Sequence, residues 1–326
     1  MNSQCPDVAW LDEVFGVRPS DVPERIGGNL ASVFRFTDEA TGKEFVARVS
    51  DASHIPPTRL GRVHAFLAYL DANGVRTPLP LLARVGGSHA VDTASERLVE
   101  VYPYVSGRHP ARGSVEDASR VARALAAFHT VGLHYADLPG EEACDQNHVA
   151  LGRLEADLRR AKTAARGKPY ESLFAEYVAG ADQIIAAIRR LRERLVESCL
   201  HLDANPDNII FGDDGDVHFI DCSHMARGRR VFDVVTAAWY LDPASAGEVG
   251  DPCRYAVPDV ELAAAFMASY RAHCAPAWQD AESEAHGLER HLMLVHGAVY
   301  WALECPDEQA MRELTGFLPQ VREHHG

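Results

Sequence analysis

One short stretch constrains this chain more than any other. It runs from His201 to Asp221 and reads HLDANPDNIIFGDDGDVHFID. Within it, two apolar runs, Ile209–Phe211 and Val217–Ile220, flank a turn rich in Asp and Gly. Apolar runs of this length around such a turn predict a β-hairpin. Because a hairpin brings its two ends together, we expect Asn208 and Asp221 to meet in space although they are thirteen positions apart.

Three polar side chains stand at fixed spacing in this stretch. Asp203 follows His201 by two positions, Asn208 follows Asp203 by five, and Asp221 follows Asn208 by thirteen. Phosphoryl transfer needs a base to orient a hydroxyl and hard oxygen ligands for Mg²⁺, and protein kinases carry them as H-x-D-x-x-x-x-N with a later Asp. This interpretation makes Asp203 the catalytic base and makes Asn208 and Asp221 the Mg²⁺ ligands. The alternative is a turn-rich loop whose polar side chains only cap backbone groups.

At these residues the chain resembles the aminoglycoside phosphotransferase family, which includes homoserine kinase-like and choline kinase-like enzymes. Besides the hairpin and its polar residues, the match includes Pro206 and Phe232-Asp233-Val234. The resemblance implies Mg-ATP-dependent phosphorylation of a hydroxyl on a small molecule, with GTP as an alternative donor. The sequence departs from the family at Leu202, where Gly is usual, and at Cys222, where an aromatic residue is usual. Neither departure removes a functional group.

The resemblance also implies an α+β, two-lobed protein-kinase-like fold. A small N-terminal lobe with an antiparallel β-sheet would bind the nucleotide, and we place it at residues 1–103. A larger, mainly helical lobe at residues 104–326 would carry the catalytic and substrate-binding residues. The length of 326 residues and the 47% of hydrophobic residues are sufficient for such a core.

The composition of the chain indicates which kinds of partner and which cellular setting to expect. The net charge of −15 argues against nucleic acid and against an anionic membrane, and it suits a cationic small substrate. No apolar run is long enough to span a membrane, and acidic residues interrupt the N-terminal segment where a signal peptide would lie. The seven cysteines are irregularly spaced and form no C-x-x-C, so we expect a reducing, cytoplasmic setting. A monomer and a homodimer both stay open.

The N-terminal part begins with a helical pattern and then offers a phosphate-binding turn. Gly27 and Gly28 allow close backbone approach, and Asn29 and Ser32 add polar groups before the strand Val33–Phe36. We expect these residues to contact the nucleotide phosphates. The alternative is a plain hairpin turn, because the segment has neither a Walker loop nor a Rossmann fingerprint.

Arg48 lies on the next predicted strand, Glu44–Val49, where kinases place a phosphate-pairing Lys. Arg binds phosphate oxygens in a bidentate way, so the role can be kept. The resemblance implies a Glu partner from the following helix, but residues 52–70 contain no Asp or Glu. This leaves Arg48 without its expected partner, and we consider that Arg59 and Arg62 face the phosphates instead. A solvated strand arginine is the alternative.

Further strands are predicted at Leu79–Val85 and Leu98–Tyr102, after a helix whose apolar face includes Leu60 and Leu70. The resemblance places the connection between the lobes where the second strand ends. Backbone groups of Glu100, Val101 and Tyr102 would then bind adenine. The nucleotide-binding residues predicted from the N-terminal part are Gly27, Gly28, Asn29, Ser32, Arg48, Glu100, Val101 and Tyr102.

The C-terminal part has helical periodicity from Val115 onwards. We predict two helices between residues 151 and 197, with a break near Gly167, and further helices around Phe232, at 260–270 and at 287–303. His129 is interpreted as structural. The resemblance implies that Asp233 hydrogen-bonds the backbone of the catalytic loop. Antibiotic kinases of the family hold cationic substrate groups with late acidic residues, so the substrate candidates are Asp242, Glu304 and Asp307.

Three functions therefore compete. The first is a kinase that inactivates an antibiotic of aminoglycoside, peptide or nucleoside type and gives resistance. The second is a metabolic kinase of an amino alcohol, a homoserine-like acid or a sugar. The third is a non-catalytic, kinase-like nucleotide-binding protein, which the missing helix Glu and the Arg48 substitution would allow. A metal hydrolase using His201 and Asp203 has less support, because the other histidines lack zinc spacing.

Overall fold

The computed structural model describes residues 5–28, 31–51, 56–84, 86–92, 96–143, 149–243, 260–305, 307 and 309. It confirms the α+β fold, with an antiparallel N-terminal sheet and a helical C-terminal portion. Contacts divide the chain into two compact units. Unit 1 comprises Met1–Arg108 and Ile210–Ser223, and unit 2 comprises His109–Ile209 and His224–Gly326. The domain boundary between residues 103 and 104 stays a prediction.

The described residues form ten strands and nine α-helices. The strands are β1 Glu24–Gly27, β2 Ala31–Thr37, β3 Glu44–Asp51, β4 Ala90–Asp92, β5 Arg97–Pro103, β6 Gly107–Arg108, β7 Glu197–Leu200, β8 Ile209–Gly212, β9 Val217–Phe219 and β10 Ala226–Arg229. The helices are α1 Val8–Phe15, α2 Pro57–Ala72, α3 Val115–Gly132, α4 Leu151–Ala164, α5 Glu171–Tyr177, α6 Ala181–Leu191, α7 Arg230–Tyr240, α8 Val260–His273 and α9 Asp280–Glu304. Within the described ranges, no helix is long and apolar enough to cross a membrane.

A five-stranded antiparallel sheet, in the order β1-β2-β3-β5-β4, forms the centre of unit 1. Alternate residues of β2, β3 and β5 point to one face and are buried there with the apolar side of α1. Phe34, Phe45 and Val101 are typical of this core. The apolar face predicted for α2 is also buried, so the periodicity identified this helix correctly.

The strand predicted at Leu79–Val85 is wrong for the described residues 79–84, which have no regular structure. Leu81 donates its N–H to the carbonyl of Val101 at 2.7 Å, but no ladder follows. Pro80 has no N–H to donate, so the segment cannot pair continuously with β5. The edge of the sheet is β4 instead.

The predicted hairpin is confirmed as β8 and β9, which join the short β6 in a three-stranded sheet. The N–H of Gly212 donates to the carbonyl of Asp216 at 2.9 Å and closes the turn. Arg76 fixes the hairpin within unit 1, because its carbonyl accepts from the Phe219 N–H and its guanidinium binds the Asp216 carboxylate. That Asn208 and Asp221 meet stays a prediction, since the two residues belong to different units.

The long helix α9 organises unit 2, where it packs against α4, α5, α6 and α7. The large apolar core of this unit lies along α9 and includes Trp239 and Trp301. The single helix predicted after Gly167 is wrong, because α5 and α6 are separate. Gly180 divides them with a φ of +76°, a left-handed conformation that glycine adopts at little cost. The strands β7 and β10 pair antiparallel and were not predicted.

A fully buried ion pair connects α7 to α9. The guanidinium of Arg230 binds the carboxylate of Glu282 through two hydrogen bonds of 2.7 and 2.8 Å. The same carboxylate accepts from the backbone N–H of Gln279 and caps the start of α9. One carboxylate therefore satisfies both a buried cation and a helix end.

Replacing Glu282 by Ala should lower the free energy of unfolding by about 3–5 kcal/mol, because it leaves the Arg230 cation buried and unpaired. Urea denaturation monitored by circular dichroism measures the loss. The matched control is Glu284→Ala, which removes an exposed carboxylate from the same helix and should change stability by no more than about 0.5 kcal/mol. Equal stabilities of the two variants would contradict the importance of the buried pair.

Candidate active site

The loop after β7 is fixed by one buried carboxylate. Asp233, in the first turn of α7, accepts the backbone N–H of His201 at 2.6 Å and that of Leu202 at 2.9 Å. This confirms the sequence interpretation of Asp233 as a residue that binds the catalytic-loop backbone. Leu202 has a φ of +69°, in the left-handed region that favours glycine. The conformation gives a physical reason why the family usually has Gly here.

Leu202 tolerates this conformation because its side chain is buried. It packs in a small apolar cluster with residues that include Leu200 and Phe232. Burying a leucine side chain contributes about 1.5–3 kcal/mol, which is comparable to the cost of an unfavourable backbone conformation.

His129 supports Asp233 from behind the loop. Its Nε2 lies 3.2 Å from the Asp233 carboxylate, and its Nδ1 lies 2.7 Å from the Tyr270 hydroxyl. Complete burial lowers the pKa of His129 below its usual value, and the neighbouring Asp233 only partly offsets this effect. His129 is thus a buried, hydrogen-bonded side chain of the scaffold, as the sequence interpretation expected.

Asp203 is held by two amides. Asn205 donates through Nδ2 to Oδ1 of Asp203 at 2.9 Å, and Asn208 donates through Nδ2 to Oδ2 at 2.8 Å. Asn208 also donates to the Asp203 carbonyl at 2.9 Å. Both carboxylate oxygens are therefore oriented by the loop itself. Asn205 was not predicted from the sequence, where its only signal is its position two residues after Asp203.

Asn208 and His201 differ in whether their side chains could bind a metal ion. The amide N of Asn208 is used by Asp203, and no described residue donates to its Oδ1. That oxygen is a hard donor of the kind Mg²⁺ prefers. His201 is fully buried and accepts the Asp203 N–H on Nδ1, which fits a structural role rather than a metal ligand at an open site.

Arg48 in unit 1 is not a solvated strand residue, because it is only 9% exposed. Its NH1 donates to Oε2 of Glu100 at 2.9 Å, and its NH2 lies 3.2 Å from Oδ1 of Asp221 and 3.1 Å from Oγ of Ser223. The helix α2 supplies no carboxylate to Arg48, as the sequence predicted, and the residue that replaces the missing helix Glu is Glu100. The partner comes from β5, where Glu100 stands directly opposite Arg48 in the sheet register.

Charge pairing keeps both Arg48 and Glu100 ionised although both are buried. Burial alone would lower the pKa of Arg48, but the charges of Asp221 and Glu100 raise it above the usual value. Burial alone would raise the pKa of Glu100, but the hydrogen bond with His64 and the charge of Arg48 lower it to about 2. Arg48 and Glu100 are consequently both charged at neutral pH.

Asp221 offers a second oxygen donor. Its side chain is 44% exposed, and its φ of +52° turns the backbone sharply after the hairpin. Oδ1 accepts from the Ser223 hydroxyl at 3.3 Å and faces Arg48. A partly exposed carboxylate suits a hard cation, so the donor chemistry of Asp221 fits Mg²⁺. Cys222 beside it is buried, and burial raises the pKa of its thiol well above the usual value.

The predicted phosphate-binding turn is placed only in part. Gly28 has a φ of +99°, and a Cβ there would lie 1.7 Å from the Ala31 carbonyl oxygen, so the turn requires glycine. Gly27 has open space around its Cα, and Ser32 is buried in β2. Asn29 lies outside the described residues. Phosphate binding by this turn stays a prediction.

The residues predicted to bind adenine lie in β5. Glu100 and Tyr102 pair with β3 in the ladder, and the Val101 carbonyl accepts from the Leu81 N–H. Their backbone contact with adenine stays a prediction. The side chain of Glu100, for which the sequence predicted no role, pairs with Arg48.

The three substrate candidates have different surroundings. Asp242 is buried, whereas Glu304 is exposed at the end of α9. Asp307 is exposed and forms an ion pair with Lys168 at 2.8 Å. Their roles in substrate binding stay predictions.

The fold is that of the kinase-like phosphotransferases. The sequence matches the profile of the phosphotransferase enzyme family over residues 22–278, and the chain belongs to this family. The protein is accordingly an enzyme, a small-molecule phosphotransferase with a hydroxyl acceptor. No curated protein matches the sequence.

Solved structures with the same fold are distant in sequence. An aminoglycoside phosphotransferase from Alicyclobacillus acidocaldarius subsp. acidocaldarius DSM 446 is 17% identical, with a TM-score of 0.68 over 99% of this chain and 95% of that one. The amicoumacin kinase hAmiN, in complex with AMP-PNP, Ca²⁺ and Ami, is 14% identical, with a TM-score of 0.70 over 97% and 92%. A microcompartment-associated aminopropanol kinase is 16% identical, with a TM-score of 0.67 over 93% and 91%.

Replacing Asp233 by Asn should lower the free energy of unfolding by about 2–4 kcal/mol, because an amide N–H would face a backbone N–H that the carboxylate now accepts. Thermal and urea unfolding measure the change. The matched control is Asp182→Asn, an exposed first-turn aspartate on α6, which should alter stability by less than about 1 kcal/mol. A fully stable Asp233→Asn variant would show that the loop does not depend on this carboxylate.

Proposed function

We propose that the protein transfers the γ-phosphate of ATP, with GTP as an alternative donor, to a hydroxyl of a small molecule, with Asp203 as the catalytic base. The observation that carries this proposal is the orientation of the Asp203 carboxylate by Asn205 and Asn208. A carboxylate held on both oxygens can align a hydroxyl reproducibly, which is the main protein contribution to phosphoryl transfer.

In this mechanism Asp203 accepts a hydrogen bond from the acceptor hydroxyl and directs its oxygen towards the phosphorus atom. As the new P–O bond forms and the bond to the leaving phosphate breaks, the hydroxyl proton passes to Asp203. Because the transition state is loose, alignment and charge neutralisation contribute more than base strength. Asp233 keeps the loop in place through its two backbone hydrogen bonds.

Two residues have the chemistry to hold the metal ion, which we propose is Mg²⁺. Asn208 would supply its amide oxygen and Asp221 a carboxylate oxygen. The bound ion would neutralise charge on the nucleotide phosphates. Arg48 would bind phosphate oxygens, and the turn at Gly28 would approach them with its backbone. The capture of AMP-PNP and Ca²⁺ by hAmiN supports the use of a nucleotide and a divalent cation.

For the substrate we favour an antibiotic, which the reaction would inactivate and so give resistance. An aminoglycoside phosphotransferase and an amicoumacin kinase share the fold, and the net charge of −15 suits a cationic molecule. Asp242, Glu304 and Asp307 are the candidates for cationic substrate groups. The fold of an aminopropanol kinase favours the second candidate, a metabolic kinase of an amino alcohol, a homoserine-like acid or a sugar.

The non-catalytic alternative has less support. It was allowed by the missing helix Glu and by the Arg that stands in place of the usual Lys, and Glu100 supplies Arg48 with a carboxylate from another element. A buried and charged pair of this kind is costly to keep, and the fixed orientation of the Asp203 carboxylate also supports a catalytic role. We further propose a cytoplasmic enzyme that is a monomer or a homodimer.

Replacing Asp203 by Asn should reduce phosphate transfer by about 10²–10⁴-fold, the usual contribution of a general base, while ATP affinity stays within about twofold. Transfer from γ-labelled ATP with Mg²⁺ is measured against cationic antibiotics, nucleoside and peptide antibiotics, and small metabolic alcohols. Asp207→Asn, an exposed residue of the same loop, is the control and should keep full activity. Near-normal transfer by Asp203→Asn would exclude Asp203 as the base.

Replacing Asp221 by Asn should weaken Mg-ATP binding by about tenfold or more, because a metal ligand loses its charge. Calorimetric titration with ATP is carried out with Mg²⁺ and again with excess chelator. We expect the variant to lose most of the difference between these two affinities. An unchanged effect of Mg²⁺ would remove Asp221 from the metal-binding residues.

A further inference from the structure

The carboxylate that pairs with Arg48 comes from the sheet and not from the helix. In α2 no acidic residue precedes Asp71, and Asp71 is paired with Arg76 rather than with Arg48. Glu100 is on β5, directly across the ladder from Arg48 on β3. Residues opposite each other in an antiparallel pair have their side chains on the same face, so the register itself brings the two charges together.

The two oxygens of Glu100 have separate partners. Oε2 accepts from NH1 of Arg48 at 2.9 Å. Oε1 accepts from Nε2 of His64 at 2.9 Å and from the hydroxyl of Tyr102. A carboxylate bound on both oxygens cannot rotate without breaking a hydrogen bond, so the position of Oε2 is fixed for Arg48.

His64 is the residue through which α2 reaches this group. With Nε2 donating to Glu100, its Nδ1 accepts from the hydroxyl of Ser88, which sets the orientation of the ring. His64 is buried, as is Glu100 at 1% exposure. In this protein α2 contributes a hydrogen-bond donor, His64, to the carboxylate of Glu100. In protein kinases the corresponding helix contributes the carboxylate itself, which binds the cation directly.

Arg48 is divided between two carboxylates. NH1 faces Glu100, which is buried, whereas NH2 faces Asp221, which is 44% exposed. The Glu100 pair is the buried part of this arrangement, so solvent screens it less than the pair with Asp221. If Glu100 lost its carboxylate, Asp221 would be the remaining carboxylate partner of Arg48 among the described residues.

We propose that Glu100 is a positioning residue for Arg48 and that His64 is a positioning residue for Glu100. The inference rests on the proposed function, in which Arg48 binds the phosphates of the nucleotide. Neither Glu100 nor His64 touches the nucleotide through its side chain in this assignment. Both act by keeping the guanidinium fork in the orientation that phosphate oxygens require.

The test compares the dissociation constants of ATP and adenosine, measured by isothermal titration calorimetry on the full chain. Glu100→Gln should weaken ATP binding by about tenfold or more, as is typical for the partner of a ligand-binding side chain. Adenosine has no phosphate, so its affinity should change by less than about twofold. A variant that had merely lost structure in unit 1 would bind both ligands more weakly.

The matched control is Glu44→Gln, which removes the carboxylate of another Arg–Glu pair of the same sheet, with Arg35. It should bind ATP and adenosine as the wild type does. A loss of ATP affinity in this control equal to that of Glu100→Gln would overturn the assignment, because any break in the sheet would then have the same effect.

A double-mutant cycle shows whether Glu100 affects ATP binding through Arg48 or independently of it. Arg48→Gln should itself weaken ATP binding, and adding Glu100→Gln to it should cause less than about a twofold further change. If Glu100→Gln weakens ATP binding equally with and without Arg48, the positioning role is excluded. If the wild type binds ATP no better than adenosine, the phosphate-binding role of Arg48 fails, and the proposed function fails with it.

His64 provides a second route to the same conclusion if Glu100→Gln does not fold. His64→Ala should weaken ATP binding several-fold, whereas His64→Gln should recover most of the affinity, since the Gln amide can donate near the position of Nε2. Equal ATP affinities of the wild type and His64→Ala would overturn the role of His64. The same alanine variant should leave adenosine binding unchanged.

Discussion

The loop around Asp203 depends on one buried carboxylate that accepts two consecutive backbone N–H groups. Asp233 supplies it from the start of α7, so the loop is tied to a helix that is packed in the core of unit 2. These two hydrogen bonds, together with the burial of the Leu202 side chain, stabilise the left-handed backbone conformation of Leu202. Asp203 stands one residue further on, and its orientation follows from that of the loop.

Around Asp203 the protein uses neutral donors, and around Arg48 it uses charges. Two asparagine amides orient the carboxylate of Asp203 without adding a cation beside it. Arg48 is instead surrounded by carboxylates that keep it charged in a buried place. In the proposed function the first group would orient the acceptor hydroxyl, and the second would bind phosphate oxygens.

The sequence predicted those features that periodicity or a fixed motif encodes. The hairpin, the helices α1 to α3 and the binding of Asp233 to the loop backbone belong to this set. The strand at 79–84 was wrong because apolar composition concealed the missing donor of Pro80. Glu100 and Asn205 were missed for a different reason. Their roles come from partners across the sheet or around the loop, and only the strand register or the loop conformation shows them.

The pairing of Arg48 with a neighbouring strand has a consequence for how the enzyme can be controlled. Where a helix carries the carboxylate, displacement of that helix pulls the ion pair apart and can turn activity off. Here a displacement of α2 would break the contact of His64 but leave Arg48 and Glu100 facing each other across β3 and β5. In the proposed function, the cation that binds phosphate would therefore keep a carboxylate partner wherever α2 stands, and a movement of α2 would act on it only through the His64 contact.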